Sequence, residues 1–120
     1  MKKLTALVLC EYSEVVSKAL RKKGFITISN DLLPSDNLKG WHIQGDCFEA
    51  LKTAKELFSI TDNKKIDLIV MHPPCTALAV SGNATYAKGK PKYIERLEAI
   101  KWTTDLFNKA KKVADHVCME

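Results

Sequence analysis

Apolar stretches of two kinds alternate along the chain. Residues 4–10 form a nearly unbroken apolar run, which is typical of a central strand that is covered on both faces. Shorter β-rich runs follow at residues 25–29, 41–44, 66–71 and 116–120. Strands that alternate with helical segments are the pattern of a parallel sheet with helices packed on it. We therefore predict one α/β domain over residues 1–120, a three-layer sandwich with a mostly parallel sheet of about five strands.

Three of the segments between these strands have helical periodicity. After the first strand, Ser13 is placed to cap a helix, Glu14 to occupy its first turn and Gly24 to end it. The second helix opens with Asp46 and Glu49, whose spacing resembles a capping box. The last helix is predicted to carry one face made of Leu97, Ile100, Thr104, Phe107 and Ala114.

Composition and charge narrow the class of protein. Apolar residues make up 46% of the chain and charged residues 28%, as in a folded domain. The net charge of +5 suits a polyanionic partner, but the lysines are spread over helix faces and do not form a block, which favours a solvated surface. No apolar run approaches the roughly 18 residues that span a membrane.

Cysteine spacing predicts the redox compartment. Cys10, Cys47, Cys75 and Cys118 stand far apart, and no two have the spacing of a zinc site or a redox motif. We predict no metal site. Thiols without a disulfide framework indicate a reducing compartment, and hence the cytoplasm.

Polar and reactive residues follow the predicted strands. In an open α/β sheet, ligands bind beyond the carboxyl ends of the strands. The predicted cofactor-binding residues are Cys10, Glu11, Tyr12, Ser13, Asp31, Leu32, Asp46, Cys47, His72 and Pro73. The alternative is that each of these residues caps a helix or forms a turn.

Two acidic residues fit a nucleoside. Asp31 ends the second strand about 20 residues after the first turn, where related folds place a carboxylate on the ribose hydroxyls. Asp46 is placed to accept a hydrogen bond from an adenine amino group, but capping its own helix is an equally good explanation. No glycine lies between the first strand and the first helix, which argues against NAD. S-adenosylmethionine has no phosphate to cradle and suits this turn better.

The segment after the fourth strand is the most informative part of the chain. Pro73 and Pro74 fix the backbone and hold Cys75 at the strand end, where a nucleophile would face the cofactor. A small buried cysteine is the alternative, because free cysteine is commonly buried. We assign no catalytic role to His72, and we expect His42 and His116 to be structural and Trp41 and Trp102 to be packing residues.

These residues resemble a known family. Pro73-Pro74-Cys75, with Ser81-Gly82 shortly after, is similar to the Pro-Cys nucleophile motif of DNA cytosine-5 methyltransferases. A compact phage and bacterial group of that family is resembled over nearly the whole chain, through Cys10-Glu-Tyr-Ser13, Asp31-Leu-Leu-Pro34, His42-Ile-Gln-Gly-Asp46 and Leu78-Ala-Val-Ser-Gly82. The resemblance implies a Rossmann-like fold that binds S-adenosylmethionine.

The resemblance also implies a reaction and roles for individual residues. Cys75 would add to carbon 6 of a cytosine flipped out of the DNA duplex, and Glu120 would protonate or hydrogen-bond the ring. Asp31 would bind the ribose of the cofactor and Asp46 its adenine. The chain ends at Glu120 in the fifth predicted strand, which we interpret as a fold that lacks its C-terminal part.

Other interpretations remain open at this point. Tyr86 with Lys88, Lys90 and Lys92 lies in a long loop, either to contact the DNA backbone and a base or simply as a flexible surface loop. One rival function is a nucleotide-processing enzyme, for instance a deoxyribosyltransferase-like one. A second rival is a non-catalytic nucleotide-binding module of phage origin.

Overall fold

The computed structural model describes residues 4–11, 14–34, 41–60, 66–72 and 87–119. These residues form strands and helices in alternation along most of the chain. The elements are β1 Thr5–Leu9, α1 Val15–Lys22, β2 Ile26–Asp31, β3 Trp41–Gln44, α2 Cys47–Ile60, β4 Ile66–Met71, α3 Tyr93–Val113 and β5 Ala114–Met119.

The strands form one five-stranded sheet with the order β3-β2-β1-β4-β5. Every neighbouring pair is parallel, and Leu7 in β1 lies opposite Ile28 in β2 and Ile69 in β4. All five residues of β1 are buried, as the apolar run predicted for a central strand. The prediction of a Rossmann-like α/β fold is confirmed. Strand order reverses between β1 and β4, and in such sheets the crevice for a ligand lies there, beyond the carboxyl ends.

The two faces of the sheet carry different chemistry. Ile28 lies in the apolar core, which α2 and α3 cover with residues such as Phe58 and Leu106. The next residue, Ser29, points to the opposite face, because successive side chains of a strand alternate, and there it bonds to Glu14 at the start of α1. Helix α1 therefore packs on one face, and α2 with α3 on the other.

The start of α1 differs from the prediction. The helix begins at Val15, and Glu14 is its N-cap residue in the left-handed conformation, with φ of 58°. Glu14 therefore precedes the first turn, which it is predicted to occupy, and it is fully buried. The carboxylate of Glu11 accepts the hydrogen bond from the Val16 N–H that we had expected a serine cap to engage. The predicted cap at Ser13 lies outside the described residues.

The buried face of α3 is also shifted from the predicted one. Thr103, Leu106 and Ala110 are the buried residues of this helix. Leu97 and Ile100, predicted to lie on the core face, are 44% and 47% exposed. Both patterns have helical spacing, so periodicity alone did not show which stripe meets the sheet.

The ends of α3 and β5 and the outer surface of the helix complete the fold. The helix ends at Val113, so Ala114 belongs to β5 and not to the helix as predicted, and His116 lies exposed on that strand. Lys101 and Asp105 form an exposed ion pair one turn apart on α3. Among the helices of the described ranges, none is both long enough and apolar enough to cross a bilayer.

Candidate functional site

A pocket opens at the carboxyl ends of β1, β2 and β3. Its volume is about 270 Å³. The residues that line it come from the strand ends, from the start of α2 and from the middle of α3. They are Cys10, Asn30, Asp31, Leu32, Gly45, Asp46, Cys47 and Trp102.

Asp31 is held in place by a turn. Its Oδ1 accepts a hydrogen bond of 2.9 Å from the N–H of Leu33, and its carbonyl accepts one of 2.8 Å from the N–H of Gly45. The Nε2–H of His42 donates to the Leu33 carbonyl at 2.9 Å, so the turn is fixed from a second side. Asp31 is half-buried, and the Leu32 side chain is 73% exposed at the pocket. The carboxylate is therefore preorganised before any ligand arrives.

Asp46 caps helix α2. Its Oδ1 accepts from the N–H of Phe48 at 3.2 Å and from the thiol of Cys47 at 3.7 Å. The structural explanation for this residue is thus confirmed. Its exposed carboxylate also lies at the pocket, where it adds negative charge. Capping uses one oxygen, and a carboxylate offers several acceptor positions.

Asn30 fastens β2 to the chain that leads into α2. Its Nδ2 donates to the carbonyls of Ile43 at 2.9 Å and Gly45 at 3.0 Å, and the side chain is only 1% exposed. Both partners are acceptors, so the amide nitrogen must face them. Its Oδ1 is buried and accepts no hydrogen bond from the described residues. Asn30 therefore sets the position of Gly45 and of the pocket wall.

Two thiols line the pocket. Cys10 follows β1 in the left-handed conformation, with φ of 63°, and Cys47 is the first residue of α2. A hydrogen bond from the Cys47 thiol lowers the pKa of Cys10, although burial and the carboxylates of Asp31 and Asp46 act to raise it. The same contact, followed by burial, raises the pKa of Cys47. Of the two, Cys10 is the thiol that ionises first.

A network of polar side chains lies on the face of the sheet that α1 covers. The Glu14 carboxylate pairs with the guanidinium of Arg21 at 3.0 Å and accepts from the Ser29 hydroxyl at 2.8 Å. The Ser29 hydroxyl also contacts Nδ1 of His42 at 2.7 Å. Through the His42 bond to Leu33, this network reaches the turn that holds Asp31. Helix α1 thereby positions one wall of the pocket without lining it.

The structure brings together half of the predicted cofactor-binding residues. Cys10, Asp31, Leu32, Asp46 and Cys47 surround the same pocket. Glu11 does not line it, because its carboxylate is engaged by α1 through Val16 and Ser17. His72 is half-buried directly after β4, and its backbone N–H donates to the Leu9 carbonyl at 3.1 Å. The remaining predicted site residues lie outside the described residues and are Tyr12, Ser13, Pro73, Cys75 and Glu120.

Sequence reasoning missed two side chains of the pocket. Trp102 is predicted to be a packing residue, and it does pack edge-on against Phe48, with ring centroids 5.7 Å apart. It also lines the pocket, which the sequence does not predict. Asn30 has no role predicted from the sequence. The signal for Asn30 was available, since a buried strand that ends in two polar residues needs partners for both. No sequence signal pointed to Trp102, because α3 reaches the pocket only through the packing of α3 on α2.

The charge of the pocket is negative. Asp31 and Asp46 contribute carboxylates, and none of its described lining residues is basic. Within the described ranges, no group of three or more histidine, cysteine, aspartate or glutamate side chains is arranged to hold a metal ion. The arrangement favours an uncharged or cationic ligand with hydroxyl or amino groups over a phosphorylated one.

Comparison with known proteins adds no assignment to this geometry. No protein-family model, no curated protein and no solved structure matches the chain.

Proposed function

We propose that this chain binds S-adenosylmethionine and methylates cytosine in DNA. The observation that carries the cofactor part is the pair of carboxylates, Asp31 and Asp46, in one pocket at the carboxyl ends of neighbouring strands. Adjacent strand ends of a doubly wound sheet are where nucleoside cofactors bind. The methyl donor carries a positively charged sulfonium, which suits a pocket with two carboxylates and no described basic lining residue.

The size and walls of the pocket support a nucleoside. About 270 Å³ is near the lower end of the range of small-molecule sites, which begins at roughly 300 Å³, and this favours a nucleoside over a dinucleotide. In this proposal, the Asp31 carboxylate accepts hydrogen bonds from the two ribose hydroxyls. Leu32 and Trp102 offer apolar surface to a base, and Asp46 lies beside them to accept from an amino group.

The reaction itself is proposed from the sequence. Cys75 would add to carbon 6 of cytosine, which makes carbon 5 nucleophilic enough to take the methyl group that the cofactor supplies. Glu120 would protonate or hydrogen-bond the ring nitrogen as electron density builds there. The exposed Lys88, Lys90 and Lys92, just before α3, supply positive charge for a phosphate backbone.

Calorimetric titration of the full chain with S-adenosylhomocysteine tests the cofactor. We expect saturable 1:1 binding, and a loss of about tenfold or more in affinity for Asp31→Asn, since hydrogen bonds to a charged group contribute about 1.5–3 kcal/mol. Glu56→Gln, which removes the same charge from an exposed position on α2, is the control and should bind as the wild type does. Preferential binding of ATP or a deoxynucleotide would instead favour the nucleotide-processing rival.

Covalent trapping tests the reaction. Incubation with S-adenosylmethionine and duplex DNA containing 5-fluorocytosine should yield a protein–DNA adduct that Cys75→Ser abolishes. Cys118→Ser is the matched control, because Cys118 is exposed on β5, at the far edge of the sheet from β2 and β3, and should leave the adduct unchanged. If the chain binds the cofactor but forms no adduct under any condition, the methylation step is refuted while the cofactor assignment stands.

A further inference from the structure

The two thiols of the pocket have no role in the proposed reaction, which assigns the nucleophile to Cys75. Cys10 and Cys47 nevertheless line the same pocket, Cys10 directly after β1 and Cys47 at the first position of α2. Cys47 belongs to the buried apolar core, and Cys10 packs against that core. The two thiols thus share one pocket wall and one packed cluster, and each affects the ionisation of the other.

We infer that Cys10 and Cys47 are a redox-active pair, in which a hydroperoxide oxidises Cys10 and Cys47 then closes a disulfide across the pocket. The roles follow from the environment of each sulfur. Cys10 is half-buried and lines the open pocket, so a small oxidant reaches it, whereas Cys47 is only 5% exposed. Cys10 is therefore the attacking thiol and Cys47 the resolving one.

The ionisation of the two thiols agrees with this order. The hydrogen bond from Cys47 lowers the pKa of Cys10, so a larger fraction of Cys10 is thiolate near neutral pH than for an ordinary cysteine. Oxidation proceeds through the thiolate and depends on its exposure. The raised pKa of Cys47 keeps that thiol protonated while Cys10 is being oxidised.

The chemistry balances in two steps. The Cys10 thiolate attacks one oxygen of hydrogen peroxide, the O–O bond breaks, and the released hydroxide takes a proton to become water, which leaves a sulfenic acid on Cys10. The Cys47 sulfur then attacks the Cys10 sulfur, the S–O bond breaks, and a second water leaves. The Asp46 carboxylate, with its Oδ1 3.7 Å from the Cys47 sulfur, is placed to accept the thiol proton and pass it to the leaving hydroxide. The two sulfurs together lose two electrons, and the peroxide gains them.

Peptide mapping of the wild-type chain tests the pair without any substitution. Trypsin places the four cysteines in separate peptides, with Cys10 in residues 4–18, Cys47 in 40–52, Cys75 in 66–88 and Cys118 in 113–120. After limited hydrogen peroxide and alkylation of the remaining thiols, we expect the first two peptides to be recovered as one disulfide-linked species that dithiothreitol separates. Cys10 should react at least about tenfold faster than Cys118. A link between Cys10 and Cys75, or equal reactivity of Cys10 and Cys118, would overturn the inference.

Substitution of the resolving thiol separates the two steps. In Cys47→Ser, Cys10 should accumulate as a sulfenic acid that dimedone traps, while Cys10→Ser should give no adduct at residue 10 and no linked peptide. Circular dichroism checks that each variant is folded. If Cys47→Ser yields no trapped sulfenic acid although the wild type forms the disulfide, Cys10 is not the thiol that is oxidised first.

The disulfide has a consequence for the ligand, and this step alone rests on the proposed function. The cross-link would tie the end of β1 to the start of α2 and join two side chains in the wall of the pocket, which changes its shape. We expect oxidised protein to bind S-adenosylhomocysteine at least about tenfold more weakly than the reduced form, with recovery in dithiothreitol, since pocket geometry sets affinity. A disulfide that forms without changing the affinity would overturn the effect on the ligand and leave the redox pair standing. If neither form binds the ligand, the proposed function fails and not the thiol chemistry.

Discussion

The carboxylate of Glu14 and the guanidinium of Arg21 lie 3.0 Å apart along helix α1, and the Glu14 side chain is completely buried while that of Arg21 is 25% exposed. Arg21 also donates to the carbonyls of Thr27 and Trp41, which belong to β2 and β3. One guanidinium thus compensates a buried charge and ties the helix to two strands. Because burying an unpaired charge is costly, this pair is a point at which the fold is sensitive.

We predict that Arg21→Met destabilises the protein by about 3 kcal/mol, because it removes the guanidinium that is paired with the buried Glu14 carboxylate. Lys101→Met is the matched control. The Lys101–Asp105 pair is exposed, and its loss should cost no more than about 0.5 kcal/mol. Urea unfolding followed by circular dichroism measures both. Equal losses in the two variants would show that Glu14 is not buried as described.

Glu11→Gln should lower stability by about 1–2 kcal/mol, because the Glu11 carboxylate accepts hydrogen bonds at the positive end of α1. The bonds from Val16 N–H and the Ser17 hydroxyl measure 2.6 Å and 2.8 Å. Glu49→Gln, in the exposed first turn of α2, should cost much less. Denaturant midpoints of the two variants make the comparison. Affinity for S-adenosylhomocysteine should stay near the wild-type value in Glu11→Gln, since Glu11 does not line the pocket.

Asn30→Asp replaces an amide by a carboxylate of nearly the same shape. The carboxylate oxygen in the place of Nδ2 would face the carbonyls of Ile43 and Gly45, to which Asn30 donates. We expect a loss of about 2–4 kcal/mol at neutral pH from repulsion and desolvation in this buried site. Asn108→Asp, on the exposed face of α3, is the control and should change stability by less than about 0.5 kcal/mol. A tolerated Asn30→Asp would mean that the nitrogen of Asn30 does not face those carbonyls.

The pH dependence of the rate of Cys10 alkylation should separate the interaction that lowers the pKa of Cys10 from those that raise it. Since the hydrogen bond from Cys47 is the effect that lowers the pKa of Cys10, the midpoint of the pH–rate profile should lie lower in the folded protein than in urea. Cys47→Ala removes that donor and leaves burial, Asp31 and Asp46, all of which raise the pKa. Its midpoint should therefore move above the value in urea, whereas Cys47→Ser, which keeps a donor, should stay below it.

The same ionisation links stability to pH. A folded-state pKa below the unfolded one means that the Cys10 contribution is present above the unfolded pKa and is lost as pH falls through the folded pKa. Cys47, with its raised pKa, has the opposite sign, so its contribution is lost at high pH. In Cys47→Ala the Cys47 contribution disappears and that of Cys10 reverses sign, because the folded-state pKa of Cys10 then lies above the unfolded one. The stability difference from the wild type should therefore change across the alkaline range, as urea unfolding at several pH values would measure.

The sheet followed from the sequence because apolar strands and helix signals agreed with one another along the chain. The continuous apolar run of β1 predicts a central strand. Asp31 and Asp46 follow predicted strands, and the parallel topology brings the carboxyl ends of those strands together. Contacts that long side chains make between elements could not be predicted from the sequence. Glu11 reaches across a turn to cap α1, and Trp102 arrives at the pocket from a helix more than fifty residues after Cys47. Neither contact has a local sequence signature.

Helix α1 is eight residues long and rests on a polar network, while α2 and α3 rest on the apolar core. An isolated helix of that length is marginal in water, so its survival depends on Glu11, Glu14 and Arg21 acting together. We therefore expect α1 to open as a separate cooperative unit, well before the sheet, with amide hydrogens that exchange faster than those of β1. Each such opening would release the turn at Leu33 through His42, so that the carboxylate of Asp31 would be correctly aimed only while the short helix is docked.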